Sequence, residues 1–523
     1  MENTEVVIAG AGPTGLMLAA ELRLAGVDVV LLDALPARTG ESRAGGIHAR
    51  TMEILDQRGL LDRLLPQGRI LDAGHFGGLP LDFGDFATRH PYTLAILQSL
   101  IENELDTHAT ASGAPTHWYT PVTGLRQDVD GVEIDLGGAD PRRIRAAYLV
   151  GCDGGRSTVR KLAGIGFPGT EATVTGMIAD VELAEPPARQ FFAQRAAVGD
   201  FSVVQLQPGW FRLVLQRHDI VFERGAELTF DAFRAHFREL AGTDFGMHSP
   251  RWVTHYSDAA RQADRYRAGR VFLAGDAAHI HYPAGGQGQN LGIQDAVNLG
   301  WKLGMIVRGN ASEDLLDTYE AERHPIAARV LRNTRAQTAL MRPGAHMDAL
   351  RDTFGELIDL DQVRHRLGLM ITALDIRYDT ACDHPLAGRR VPDAELVTAD
   401  GGTRVHRLLR TGRPILLVFN GIPGLSGWDG RIDVVHAQCR DRGWSIPGVG
   451  EIPTPGAILL RPDGYAAWAG DGPRRDGLAE ALTAWVGRSE GDGPDDLVDQ
   501  PERRVALGAG RHDLLVEPSV ADR

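Results

Sequence analysis

Three short stretches, far apart in the chain, hold most of the residues whose types and spacing could do chemistry. The first, Gly10-Ala11-Gly12-Pro13-Thr14-Gly15, follows directly on the apolar run Val6-Val7-Ile8-Ala9. The second is Cys152-Asp153-Gly154-Gly155-Arg156-Ser157-Thr158-Val159-Arg160. The third, Val271-Phe272-Leu273-Ala274-Gly275-Asp276, leads into Pro283-Ala284-Gly285-Gly286-Gln287-Gly288. A glycine turn between a buried strand and a helix offers free backbone N–H groups and a positive dipole end to a pyrophosphate. Here a strand ends at Ala9, a helix is expected from Pro13 to Ala25, and a second strand, Val27–Leu32, ends at Asp33. That acid follows the glycines by about twenty residues, the distance at which a carboxylate meets an adenosine ribose. A simple nicotinamide enzyme needs only this first stretch. A chain that adds an Asp-Gly turn in mid-sequence and a late Gly-Asp turn grips a long cofactor at several points, and the combination points to FAD.

In the third stretch, Asp276 falls at the C-terminal end of an apolar strand, where a carboxylate takes a sugar hydroxyl. Gly285, Gly286 and Gly288 let backbone approach a flat ring closely. The helix they feed, from about Asn290 and Leu291 to Arg308, aims its positive end at that ring. Reduced flavin carries negative charge near its pyrimidine edge, which suits this arrangement.

On these residues the chain resembles the class A flavoprotein aromatic hydroxylases, the p-hydroxybenzoate hydroxylase family. Within it the likeness is to the aromatic polyketide hydroxylases and rifampicin monooxygenase. Gly10–Gly15 matches the family's first fingerprint. Asp153-Gly154 with Ser157 and Arg160 matches its Asp-Gly motif, which touches both FAD and NADPH, and Gly275-Asp276 with His279 and Pro283 matches its Gly-Asp motif. Ser42-Arg43-Ala44-Gly45-Gly46-Ile47-His48-Ala49-Arg50 resembles the loop carrying a flavin-contacting arginine, here Arg43. Gln98 stands where the family has a glutamine reaching the ribityl chain. The resemblance runs from about residue 1 to 375, and His384–Arg390 is similar to the entry of a thioredoxin-like C-terminal domain.

The resemblance implies an α/β fold: a Rossmann-like FAD-binding domain, an inserted β-sheet substrate domain and a thioredoxin-like C-terminal domain. The FAD site would comprise Gly10, Gly12, Pro13, Thr14, Gly15, Asp33, Arg43, Gln98, Asp153, Gly154, Gly275, Asp276, Pro283, Gly286, Gly288, Asn290 and Leu291. NADPH, or NADH, is the implied reductant and O2 the co-substrate, with a flavin C4a-hydroperoxide hydroxylating a polycyclic aromatic, polyketide-type substrate. No nicotinamide domain is visible, so the flavin ring must swing out to be reduced. Arg43, Asp153 and Pro283 are expected near that motion, and Arg43, Pro283 and Arg212 are the expected catalytic groups. His48, His279 and His281 read as histidines satisfied in turns, because an acidic polyketide phenol can ionise without a protein base. A flavin-dependent halogenase shares the fold, but its Trp-x-Trp-x-Ile-Pro segment and lysine are missing from Gln207–Arg212. A Baeyer–Villiger or ring-rearranging oxygenase, an inactivator of rifampicin- or tetracycline-type antibiotics, and a flavin-binding protein that does not oxygenate stay open as alternatives.

The elements that must position these residues form a discontinuous pattern. Residues 1–170 and 266–375 read as the FAD-binding domain, 171–265 as the inserted sheet, 376–488 as the C-terminal domain and 489–523 as a flexible tail. Phe201–Leu206 and Phe211–Gln216 are expected to pair across a Pro-Gly turn. On that sheet Arg195, Gln205 and Arg212 are the polar residues expected to meet substrate, with Phe191, Phe192, Phe201 and Trp210 as its apolar lining. In the C-terminal part, Arg461-Pro462-Asp463-Gly464 joins two apolar strands as a hairpin turn.

Composition bounds the partners. The formal net charge of −14 argues against a nucleic-acid partner, which wants a basic surface. No apolar run approaches the roughly 20 residues of a membrane span, so no membrane partner is expected. The first apolar run is a strand closed by glycines rather than a signal peptide. Cys152, Cys382 and Cys439 are far apart, which indicates neither a disulfide framework nor a zinc site. A cytoplasmic monomer or homodimer is the expectation.

Overall fold

The computed structural model describes residues 2–189, 191–222, 227–420, 427–428, 430–471 and 476–488. The tail expected at 489–523 lies outside them. Val6, Val7 and Ile8 have no exposed surface, as befits a central strand of a parallel sheet covered on both faces. The strand Glu2–Ala9 pairs in parallel with Val29–Leu32 on one side and Arg142–Gly151 on the other. Arg142–Gly151 in turn pairs in parallel with Val271–Leu273. The register sets Ala9 beside Leu32 and Gly151, and Gly151 beside Leu273. All three glycine-bearing stretches therefore leave the sheet at one edge, the carboxyl ends of its strands, where such folds bind ligands.

The inserted unit is a five-stranded antiparallel sheet in the order Phe191–Ala196, Gly199–Gln207, Trp210–Arg217, Thr175–Leu183 and Met247–Ser257. Alternation divides it into two faces. Met177, Phe201, Val203, Leu213 and Leu215 pack against Phe233 and Phe237 of the helix Phe230–Ala241. The opposite face carries Asp180, Arg212, Gln216 and Tyr256 and turns toward the glycine loops. The helix starts where the Thr229 side chain accepts from the Ala232 N–H and ends at left-handed Gly242. Neither that helix nor the long strand after it stood out in the sequence.

Behind the parallel sheet run the helices Gln287–Val307 and Asp317–Met341, followed by Ala345–Ile358 and Asp361–Thr372. The C-terminal sheet has the order Asp433–His436, Ile415–Val418, Ala457–Leu460, Ala466–Gly470, flanked by the helix Leu478–Val486. Buried ions join it to the FAD-side helices. Arg461 pairs with Glu322 and Asp463, and Lys302 with Glu322, all nearly inaccessible. Burial, resisted by Glu322, pushes the Lys302 ammonium down to about 8. Arg404 lies on both Asp56 and Asp393, which also face His406, so a guanidinium already supplies positive charge to that cluster. Removing one member of such a set costs about 3–5 kcal/mol, which makes the docking of this unit structural. Cys152, Cys382 and Cys439 are free thiols. Among the described residues no helix is long and apolar enough to cross a membrane.

Candidate active site

At the shared edge, glycine is a steric requirement. Gly10 has φ +104°, and a Cβ there would meet the Cys152 carbonyl oxygen at 2.3 Å. Gly12 is different: nothing lies within 4 Å of a Cβ placed on it, so its backbone faces open space. Pro13 opens the following helix, and the Thr14 side chain lies under Gly275, tying the first stretch to the third. The Asp33 carboxylate accepts from the Ala11 N–H at 2.8 Å and from the Leu35 N–H at 2.9 Å, bracing the turn while staying half-exposed.

The Asp-Gly turn is built with one vacant acceptor. Asp153 Oδ2 accepts from the N–H groups of Thr158 and Val159 at 2.6 and 3.1 Å. Its other oxygen, Oδ1, is buried and has no partner among the described residues. A buried acceptor left unpaired is costly, so it calls for a donor such as a ligand hydroxyl. Asp276 sits at the first turn after Val271–Leu273, exposed and without a hydrogen-bond partner among the described residues. Pro283 and Gly286 are exposed on the same cleft, and Gly154 has open space where a Cβ would be. These features suit a long dinucleotide rich in hydroxyl donors.

Several expected contacts act from behind the cleft instead. Asn290 Oδ1 accepts from the His48 N–H at 2.9 Å, and its Nδ2 donates to the Gly286 and Gly46 carbonyls at 2.7 and 3.3 Å. Leu291 is buried, and its carbonyl accepts from Arg323. Gly288 lies 3.6 Å, by its would-be Cβ, from His281 Nε2. His48 Nε2 lies 2.6 Å from the Gly285 carbonyl, and burial lowers the pKa of this imidazole. His279 Nε2 lies 2.6 Å from Asp295 Oδ2, which also accepts from the Gly275 N–H. Arg323 donates to Asp295 Oδ1 at 2.7 Å and to the Tyr378 hydroxyl at 3.0 Å. Asp295 and Arg323 were missed from the sequence.

The substrate side departs from expectation. Arg212 has its guanidinium N–H groups engaged: Nε and Nη2 fork onto Asp180, Nη2 also donates to the Ser42 carbonyl, and Nη1 donates to the Arg43 and Ala44 carbonyls. It clamps the 42–44 loop to the sheet and has no donor left for a substrate. Gln205 pairs with Phe211, on the face covered by the helix Phe230–Ala241 and turned away from the cleft. Arg195 ion-pairs with Asp348 at 2.8 Å and donates to the Arg342 carbonyl, joining the sheet edge to the helices behind. Phe201 packs edge-on to Phe237 in the core, Phe192 lies against Phe201, and Trp210 stacks under Arg251. The Phe191 side chain lies outside the described residues. Arg43 is exposed, its guanidinium on Glu41 at 3.0 Å. Gln98 Oε1 accepts from the Ala44 N–H, beside the same loop.

A family model described as an FAD binding domain matches residues 3–334, and one described as the C-terminal part of aromatic-ring hydroxylases matches 384–489. The chain belongs to the FAD-dependent aromatic-ring hydroxylases. It is 46% identical over 502 residues to the 12-dehydrotetracycline 5-monooxygenase/anhydrotetracycline 6-monooxygenase of Streptomyces rimosus subsp. rimosus, covering 92% of this chain and 99% of that protein. It is 45% identical over 488 residues to a rifampicin monooxygenase of Streptomyces venezuelae, covering 92% and 98%. The solved anhydrotetracycline hydroxylase OxyS from Streptomyces rimosus superimposes with a TM-score of 0.87 at 45% identity, covering 93% of this chain and all of that one. In a flavin-dependent hydroxylase, the free acceptors on Asp153 and Asp276 are the expected partners of cofactor hydroxyls. Asp276→Ala should therefore weaken FAD binding by about 1–3 kcal/mol. Fluorescence titration of the apoprotein measures it, and an unchanged Kd would remove Asp276 from the site.

Proposed function

We propose that this chain is an NADPH-driven monooxygenase that hydroxylates one ring of a polycyclic aromatic, polyketide-type molecule. The observation that carries the reading is the closed junction between cofactor loop and inserted sheet. The Tyr282 hydroxyl, next to Pro283, donates to Gln216 Oε1 on the sheet, and the ring of Tyr256 lies 5.6 Å from that of Tyr282. The polar-fringed face of the sheet thus stands directly over the glycine loop, a place for a flat substrate shielded from water. The kinship with enzymes named for tetracyclines and rifampicin supports a ligand of several fused rings.

When bound, FAD supplies electron transfer and oxygen activation; the protein supplies position. Asp153 Oδ1 and Asp276 would accept from cofactor hydroxyls, and the amides around Gly12 would face its pyrophosphate. Asn290 and His48 fix the loop from Gly285 to Gly286 against the 46–48 segment, and Pro283 on that loop would meet the ring. Tyr282 and Tyr256 border the substrate space, and burial raises both hydroxyl pKa values well above the ordinary range, leaving them neutral hydrogen-bonding groups.

Incubating polycyclic phenols with the protein, FAD, NADPH and isotopically labelled O2 tests this. One labelled oxygen attached to an intact ring carbon skeleton is the expected product. NADPH oxidation that no phenol stimulates, or a label found within an expanded ring, would overturn the hydroxylase reading. Arg43 carries a second expectation. Its backbone carbonyl is held by Arg212, while its exposed side chain is tied only to the neighbouring Glu41 at the surface, a contact it can exchange for one with a moving ring. Arg43→Lys, lacking the planar fork, should slow the NADPH-dependent bleaching of flavin absorbance more than the reoxidation of reduced protein by O2. Rapid mixing of each half-reaction checks this, and bleaching at the parent rate would refute it.

A further inference from the structure

A hairpin formed by Ala73–Phe76 and Leu79–Asp82 packs its first strand against the Ala284–Gly286 turn. Phe76 enters an apolar cluster with Leu81, Phe83 and Leu340, so alternation turns its neighbour His75 to the opposite face. The tip is pinned: the Gly77 N–H donates to Gln337 Oε1 at 3.0 Å, and the Gly77 carbonyl accepts from Arg351. The Gly78 N–H donates to His75 Nδ1 at 3.3 Å, which leaves the imidazole proton on Nε2. No acceptor in the described protein meets that Nε2–H, and His75 as a whole is half-buried, on the side of the hairpin that packs against the Ala284–Gly286 turn. Burial, with His48 and Arg351 close by, pushes the ring pKa down to about 4.

We propose that His75 is a specificity-determining residue whose Nε2–H donates to an acceptor oxygen, a ring carbonyl or an ionised phenol, on the polycyclic substrate. The proposal rests on the functional reading of this cleft given above. The ring is neutral and its tautomer is fixed by Gly78, so it can only donate from this atom. The nearby cation, Arg351, donates through Nη1 to the Gly77 carbonyl, and the His75 variants leave its charge in place. A donor without a partner penalises any ligand that brings apolar carbon to the same place, which makes the site select oxygenated rings over bare hydrocarbon ones.

The test compares His75→Gln with His75→Met, side chains of similar shape of which only glutamine can donate. FAD-loaded protein is titrated with anhydrotetracycline, rifampicin and quinizarin, following perturbation of the flavin spectrum. For the probe that the parent binds best, His75→Met should weaken binding about 10–100-fold, the range for one unmet hydrogen bond, while His75→Gln stays within about 3-fold of the parent. Steady-state turnover should show the Met effect in KM rather than kcat. Equal binding by both variants, whether like the parent or uniformly weakened, would overturn the donor role. Failure of the parent to bind any probe would overturn both this proposal and the substrate reading beneath it, whereas equal variants with a binding parent overturn the proposal alone.

Discussion

Asp295→Ala should cost about 3–5 kcal/mol of stability, the penalty for a buried ion that has lost its partner, and should empty the FAD site. Asp295 and Arg323 are both completely buried, so deleting the carboxylate leaves a guanidinium with no counter-charge. The same carboxylate holds the Gly275 N–H and His279, and with them the Gly-Asp turn whose Asp276 faces the cleft. Cofactor loss should accompany destabilisation even though Asp295 never faces the cofactor. Burial would raise the Asp295 pKa, but Arg323 and His279 hold it below the ordinary carboxylate value. A lowered folded-state pKa contributes stability that is complete above the unfolded value of about 3.9 and is lost as pH falls through the folded one. The difference in urea midpoint between parent and variant should hold steady from neutral pH to about pH 5 and shrink under stronger acid. Asp295→Asn, which keeps a hydrogen-bonding side chain but no charge, should fall between the two. A variant with parent stability and full flavin content would show that the turn is held by other means.

The difference between what could and could not be read from the sequence follows contact range. Gly10, Asp33 and the helix between them belong to one strand–helix–strand unit, so spacing alone brings Asp33 to the turn it braces. The meeting of Gly10, Asp153 and Asp276 needed more, yet each follows an apolar strand, and parallel pairing aligns such ends. The Asp295–Arg323 pair gives no comparable signal, because a polar residue inside a helix looks the same whether it faces solvent or a buried partner. Alternation placed Arg212 and Gln205 on strands but could not say which face was covered. That was decided by the helix Phe230–Ala241, whose cap at Thr229 and glycine at Gly242 were legible and went unread. The helix Ala345–Ile358 went unread as well, although Met347, Leu350, Phe354 and Ile358 recur at helical spacing and Met347 and Phe354 pack on the cluster of Phe76 and Phe83. His75 was invisible for another reason: its free Nε2–H depends on Gly78 occupying the other nitrogen.

Arg212→Lys should separate holding the cofactor from protecting the reaction. Arg212 and Asp180 are each 4% exposed, and the guanidinium spans the sheet and three carbonyls of the 42–44 loop. Lysine keeps a positive charge for Asp180 but has a single point of attachment and cannot fork onto the carboxylate while also reaching the loop. The carboxylate stays paired, so the loss of stability should be small beside the roughly 3–5 kcal/mol expected for Arg212→Met, which strands Asp180. Arg212→Leu combined with Asp180→Leu should recover most of that stability, since a buried pair is replaceable by apolar packing. None of these variants restores the grip on the loop. FAD should remain bound in Arg212→Lys, because Gly12, Asp153 and Asp276 are untouched. A loosened loop admits water beside the ring, so a larger share of the NADPH consumed should end as hydrogen peroxide instead of hydroxylated product. The ratio of peroxide to product, measured with any phenol that stimulates turnover, reads this directly. The stabilised double-leucine variant should show the same leak. Parent-like coupling in both would mean that the loop keeps its position without Arg212, and that the ion pair serves the sheet alone.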